Sequence, residues 1–248
     1  MGGRTNRREG DGTLPTGINI RDLGGWPTPD GPVRSSRFLR SASLEGIGQR
    51  GVRQLVSYGV MCDLDLRGSM ELRRWPDPLA SVSGVRYLNV SLFDINVSDP
   101  SLFRPGDEGD YYAGVYLDML ANREAVRRMF AFMASVSEDG CVLFHCSAGM
   151  DRTGVTAMLL EGLAGVSRDD IMRDYLRSFG TRDEVERELR EGFPAEPSSL
   201  WALPTRHRTI ATVYDRVVGV FGSVSAYLTA CGVTKAQLRM VRCHLLER

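Results

Sequence analysis

The chain has 248 residues, 42% of them hydrophobic and 25% charged, values of an ordinary folded protein that exclude wholesale disorder. Its 31 basic and 31 acidic side chains cancel to a formal net charge of zero. Nucleic-acid binding would therefore need a local basic patch, which no long basic run supplies, and no apolar stretch approaches the roughly 18 residues of a membrane span, so no membrane anchor is expected.

Residues 1–17, "MGGRTNRREGDGTLPTG", are polar and glycine-rich without an apolar centre. They read as a flexible N-terminal tail, not as a signal peptide, and residues 18–248 as a single domain. The segment "INIRDLGGWPTPDGPVRSSRFLRSAS" is punctuated by glycine and proline and predicts short strands and turns. Residues 45–58 follow as a helix, then "GVMCDLDLRG" as a short apolar strand, then a second strand within residues 85–93.

Over residues 111–135 the spacing predicts one long amphipathic helix. Tyr112, Val115, Tyr116 and Met119 recur at helical intervals, and Val126, Met129, Phe130 and Met133 repeat the pattern, a stripe best explained as core packing. "CVLFHC", bounded by Gly140, suits a buried strand. Strands alternating with helices imply an α/β fold with a central, mostly parallel sheet flanked by helices and a functional loop at a strand's carboxyl end. Beyond residue 152 the pattern is wholly helical. Ser167 with Asp170, Thr181 with Glu184, and Thr234 with Gln237 resemble capping boxes, and Ile210, Val213, Tyr214, Val217, Val218 and Phe221 form an apolar face.

Five cysteines, an odd number without a paired framework, favour a reducing compartment and hence the cytoplasm. Only three histidines occur and no Cys-x-x-Cys accompanies them, so neither a metal site nor a cofactor is expected.

The chemistry lies in "HCSAGMDRTG", residues 145–154. A phosphate monoester needs converging N–H donors, a fixed cation and an in-line nucleophile. A strand turning tightly into a helix supplies the donors, because the first N–H groups of the helix are unpaired and its dipole is positive there. Ser147, Ala148, Gly149, Met150 and Asp151 separate Cys146 from Arg152, enough chain to curl around one phosphate. Gly149 allows a backbone conformation that other residues resist. Arg152 can grip two oxygens at once, which lysine cannot. Cys146 would sit among the N–H groups, surroundings that favour a thiolate nucleophile. Thr153 is placed to hydrogen-bond the sulfur, Gly154 allows close packing below, and His145 is expected to organise the loop.

At these residues the chain resembles the cysteine-dependent protein tyrosine phosphatase superfamily, in particular the bacterial branch typified by mycobacterial protein tyrosine phosphatase B. Asn19, Arg21, Asp22, Leu23, Gly24 and Gly25 match that branch's early segment, and Arg40 with Ser41 its arginine–serine pair. Asp65, Leu66 and Arg67, followed by Glu71, match a strand end, and Gly222, Ser223, Tyr227 and Leu228 a C-terminal element. The resemblance implies a tyrosine-phosphatase-like fold with an all-helical C-terminal half and hydrolysis of phosphotyrosine or other phosphoprotein residues through a phosphocysteine. It points to Asp151, with Asp65 as the other candidate, as the group that handles the proton. The branch has lysine where this chain has Met150, and losing that cation removes an attraction for phosphoinositides.

Two alternatives stay open from the sequence: the same chemistry on a phosphorylated small metabolite, and a non-catalytic phosphoprotein-binding module. The string Trp75-Pro76-Asp77 reads as a chance match in a surface turn, and Asp107 and Asp110 are further carboxylates at a more suitable spacing from Cys146. Cys62 and Cys141 could trap an oxidised Cys146 as a disulfide. Residues 180–204 could form a lid or a solvated connector. Oligomeric state is not legible.

Overall fold

A computed structural model describes residues 14–16, 18–93, 108–180 and 206–246. Residues 1–13, Asp107, Thr181, Glu184, Trp201 and the segment proposed as a lid beyond residue 180 lie outside the described residues, as does the side chain of Asp110.

Five strands form one sheet: β1 (Arg21–Asp22), β2 (Phe38–Ser41), β3 (Val60–Asp65), β4 (Arg86–Asn89) and β5 (Cys141–His145), in the order β1-β2-β5-β3-β4. β5 runs parallel to β2 and β3, β3 runs parallel to β4, and only the two-residue β1 is antiparallel. Every residue of β5 is buried, which is what a continuous apolar run means in a strand covered on both faces. Alternation along the strand divides the core. Val142 and Phe144 face the larger apolar cluster with Phe38 and Leu64, while Cys141 and Leu143 face a smaller one with Leu39, Leu55 and Val60. Leu14 and Ile18 pack onto the smaller cluster.

The described helices are α1 (Gly48–Tyr58), α2 (Ser69–Arg74), α3 (Glu108–Ala121), α4 (Arg123–Met133), α5 (Asp151–Ala164), α6 (Arg168–Leu176), α7 (Arg206–Phe221), α8 (Val224–Ala230) and α9 (Lys235–Leu245). Helix α5 leaves β5 through the glycine-bearing loop and is buried along almost its whole length, because α3, α6, α7, α8 and α9 all pack against it. The α6 cap from Ser167 and the reciprocal Thr234–Gln237 box of α9 form as the sequence predicts. The end of the chain returns to its beginning, with Val33 bridged to Leu246 and the Arg34 N–H donating to the Leu245 carbonyl.

The single long helix expected over residues 111–135 is two helices. Asn122 leaves the helical conformation, with ψ at 69°, and its side chain accepts the Ala125 N–H at 3.1 Å, so it ends α3 and caps α4. Tyr112, Tyr116, Met119, Val126, Met129, Phe130 and Met133 are all buried as the periodicity requires; the pattern reported the core face correctly and was blind to the break. Among the described residues no helix is long and apolar enough to cross a membrane.

Removing the Asn122 cap should loosen the α3–α4 junction without touching the loop. Asn122→Ala is expected to cost about 1 kcal/mol in urea unfolding, with unchanged secondary structure by circular dichroism; a loss below a tenth of that would mean the break does not depend on the cap.

Candidate active site

The carboxyl ends of β2, β5 and β3 lie side by side, with Ser41, His145 and Asp65 in register. The three segments that continue from them, Ala42–Ser43, Cys146–Met150 and Leu66–α2, therefore meet at one edge of the sheet. Cys146 is 2% exposed at the end of the central strand and just before the N-terminus of α5.

The loop is held by its carbonyls. Ser43 donates its N–H to the Ser147 carbonyl at 2.9 Å, and the Asn19 side-chain amide reaches the Ala148 and Gly149 carbonyls at 3.1 and 3.3 Å. Arg40, fully buried, donates to the same Gly149 carbonyl at 3.0 Å, and the His145 carbonyl accepts from the Leu66 N–H. With the carbonyls taken, the N–H groups of Ser147, Ala148, Gly149 and Met150 have no protein acceptor among the described residues. Gly149 makes the curl possible. Its φ is +70°, and an added Cβ would lie 2.6 Å from the Ser41 and Ala42 backbone.

Beneath the loop is a buried charge network. Asp174 on α6 binds Arg21 at 3.0 Å and also Arg40, while Arg21 orients the Asn19 amide by donating to its oxygen at 2.7 Å. Burial alone would raise the Asp174 carboxyl; the arginines outweigh it and hold the pKa at about 2. Glu161, buried beside them, is pushed in the other direction, well above the usual carboxylate range, by desolvation and then by the Asp174 charge.

Arg152 is buried and forked onto Glu71 of α2, with Nη1 to Oε2 at 2.6 Å and Nη2 to Oε1 at 2.8 Å. Glu71 is fixed in turn by the Gly68 N–H at 2.7 Å and by the Ser147 hydroxyl. Desolvation would raise the Glu71 pKa, but Arg152 prevails and lowers it to about 2. The Arg152 Nε–H has no partner among the described residues, so the guanidinium is positioned without being saturated. The Thr153 hydroxyl is likewise fully buried and unpartnered, and Gly154 lies against Tyr175, where a Cβ would meet the ring at 2.9 Å. Met150 is buried and stands at the N-terminus of α5.

The two candidate proton carriers sit differently. Asp65 is fully buried and bound through both oxygens to Arg67, with the Tyr87 hydroxyl adding a bond at 3.0 Å. Asp151, in the first turn of α5, accepts from the Tyr116 hydroxyl, which lies 2.8 Å from that of Tyr175.

Asp77 is not in a surface turn, as its sequence context suggested. Its side chain is buried, 3.1 Å from His145 Nε2 and 3.5 Å from Arg67, because the chain after α2 folds back under β3 and β5. Asp63 approaches the same imidazole nitrogen at 3.4 Å. Burial opposes charge on His145, yet the surrounding carboxylates, Asp63 foremost, outweigh it and raise its pKa well above the usual value. The His145 ring faces these carboxylates, and it is the His145 carbonyl, accepting from the Leu66 N–H, that ties the strand end to the neighbouring segment.

The register also separates the cysteines. Cys62 pairs beside Val142, about 13 Å back along the strand from Cys146, and Cys141 is about 16 Å back at ~3.3 Å per residue. Both exceed the ~7 Å limit for a disulfide, and all the cysteines are free. The roles of Glu71, Asp77 and Asp174 were not assigned from the sequence. Glu71 had one visible signal, its place just after the Asp-Leu-Arg strand end.

The family model described as "Tyrosine phosphatase family" matches residues 13–247. Over 222 residues the chain is 28% identical to a tyrosine-protein phosphatase of Nostoc commune, an alignment covering 86% of this chain and 75% of the relative. It is 27% identical over 274 residues to the triple specificity protein phosphatase PtpB of Mycobacterium tuberculosis, covering 94% of this chain and 98% of that one.

The Glu71–Arg152 pair carries a pH signature. A carboxyl whose folded pKa is depressed stabilises the fold fully above its unfolded value of 4.5, and that contribution fades as pH falls toward about 2. Glu71→Gln is expected to cost about 1–3 kcal/mol at pH 7. The difference from wild type should narrow between pH 5 and pH 3 in urea titrations, and a gap independent of pH would refute the ion-pair account.

Proposed function

The chain belongs to the tyrosine phosphatase family and is a phosphatase of the protein tyrosine or dual-specificity type; on that premise we propose how its own residues carry the reaction. The observation that carries the reading is the loop between β5 and α5, in which the four successive N–H groups after Cys146 have no protein acceptor among the described residues and are followed by an arginine fixed by Glu71.

The phosphoryl oxygens of the substrate take the N–H groups of residues 147–152 and the unpartnered N–H of Arg152. The Cys146 thiolate attacks phosphorus, a sulfur–phosphorus bond forms, and the phosphorus–oxygen bond to the leaving group breaks as that oxygen receives a proton from Asp151. In the second step Asp151 takes a proton from water, whose oxygen attacks phosphorus and releases inorganic phosphate and the thiolate. Thr153, its hydroxyl otherwise unused, donates a hydrogen bond to the departing sulfur. Asp151 is favoured over Asp65 because both oxygens of Asp65 are committed to Arg67. Residues 18–248 act as one catalytic domain in a bacterial cytoplasm, where the free cysteines stay reduced.

Cys146→Ser is expected to abolish hydrolysis of an aryl phosphate while calorimetry still detects vanadate or phosphate binding; surviving turnover in that variant would sink the mechanism. Asp151→Asn should slow turnover by about 10²-fold or more for poor leaving groups and far less for activated aryl esters. Equal losses across a leaving-group series would remove Asp151 from the proton-transfer role.

A further inference from the structure

The phosphate loop fixes the chemistry and leaves the choice of substrate to the surfaces beside it. Helix α2 is one such surface, because its Glu71 reaches directly to Arg152 and Ser147. Glu71 and Leu72 are half-buried on the inner side of α2. Met70, Arg73 and Arg74, spaced three and four apart, share the outer side, and Trp75 follows. Met70 is 72% exposed and Trp75 40% exposed.

These side chains are ordered against one another. The Arg73 guanidinium rests on the Met70 sulfur, and the Arg74 guanidinium stacks over the Trp75 ring at 4.7 Å from its centroid. The Trp75 carbonyl, accepting from Arg67 at 3.0 Å, ties the end of the helix to the site's framework. Between Leu66 and Val82 the only acidic residues are Glu71 and Asp77. Glu71 is engaged by Arg152, and Asp77 by His145 and Arg67. Among the described residues Arg73 and Arg74 have no carboxylate partner. Two arginines, an aromatic ring and a methionine are thus presented together about one helix diameter, ~10 Å, from the guanidinium that receives the phosphate.

We propose that the outer face of α2, formed by Met70, Arg73, Arg74 and Trp75, is a docking surface for acidic residues that flank the phosphorylated side chain of a protein substrate. The inference rests on the phosphatase reading and extends it from the reaction to the substrate class. A phosphorylated sugar or nucleoside placed in the loop would not span the helix, whereas a polypeptide running away from the loop crosses it. Charge complementarity selects the sequence: two guanidiniums without a carboxylate partner among the described residues attract Asp or Glu, and the Trp75 and Met70 surfaces cover the apolar parts of the peptide.

The test compares three substrates: a phosphotyrosine peptide with Glu and Asp on both sides of the phosphorylated residue, the same peptide with Gln and Asn in their place, and p-nitrophenyl phosphate. Wild-type enzyme is expected to favour the acidic peptide in kcat/KM by about fivefold to tenfold at low salt, a preference that shrinks as salt is added. The double variant R73Q/R74Q should bring the ratio close to one while leaving p-nitrophenyl phosphate hydrolysis unchanged. A wild-type ratio of one, or a ratio that the double variant does not alter, overturns the proposal. It is also overturned if the double variant loses binding to phosphatidylserine vesicles yet treats both peptides as wild type does, which would reassign the face to a lipid surface. Absence of p-nitrophenyl phosphate turnover by wild-type enzyme would instead remove the phosphatase reading on which the proposal stands.

Discussion

A loop that aims its N–H groups at one point must turn its carbonyls outward, and buried carbonyls need donors. That constraint organises much of this molecule. Asn19 and Arg40 serve Ala148 and Gly149, Ser43 serves Ser147, and Leu66 serves His145, so residues scattered from position 19 to position 66 converge on four positions at the strand end and loop. The early Asn-x-Arg segment and Arg40 near the end of β2 are thereby explained as scaffolding. They hold the cradle open from behind and do not line it.

The charges follow the same economy. Arg152 is steadied by Glu71, Arg40 and Arg21 by Asp174, and His145 by Asp63 and Asp77. Buried ion pairs of this kind add little net stability over apolar packing, since desolvation opposes them, but breaking one leaves a stranded charge. Their effect here is geometric: Arg152, Arg40 and the His145 ring each have their position fixed from a different element, namely α2, α6 and the turn after α2.

What was legible in the sequence was local. β5 was visible as an apolar run, the core stripe of α3 and α4 as a helical repeat, and the loop as a spacing of cysteine, glycine and arginine. The break at Asn122 was missed because the apolar phase continues across it, and only the side-chain bond to Ala125 reveals the cap. Asp77 was misplaced for a related reason. Its neighbours Trp75 and Pro76 are exposed and read as a turn, while the carboxylate points inward to a histidine 68 positions later. Met150 was legible as the absence of a cation, and the structure adds that its side chain is buried at the helix start.

The sequence by itself determined the parts of the proposed reaction: a cysteine and an arginine separated by five residues, with a glycine able to take positive φ, between a strand and a helix. Those features depend on residues adjacent in the chain, so neighbouring residue types suffice to specify them. Tertiary structure decided what surrounds those parts. It brought Glu71 to Arg152, committed Asp65 to Arg67 and left Asp151 with Tyr116, put Cys62 and Cys141 out of reach of Cys146, and turned Arg73 and Arg74 outward from the helix that holds Arg152. Such pairings cross many residues of chain and are set by strand register and helix docking, which no local pattern encodes.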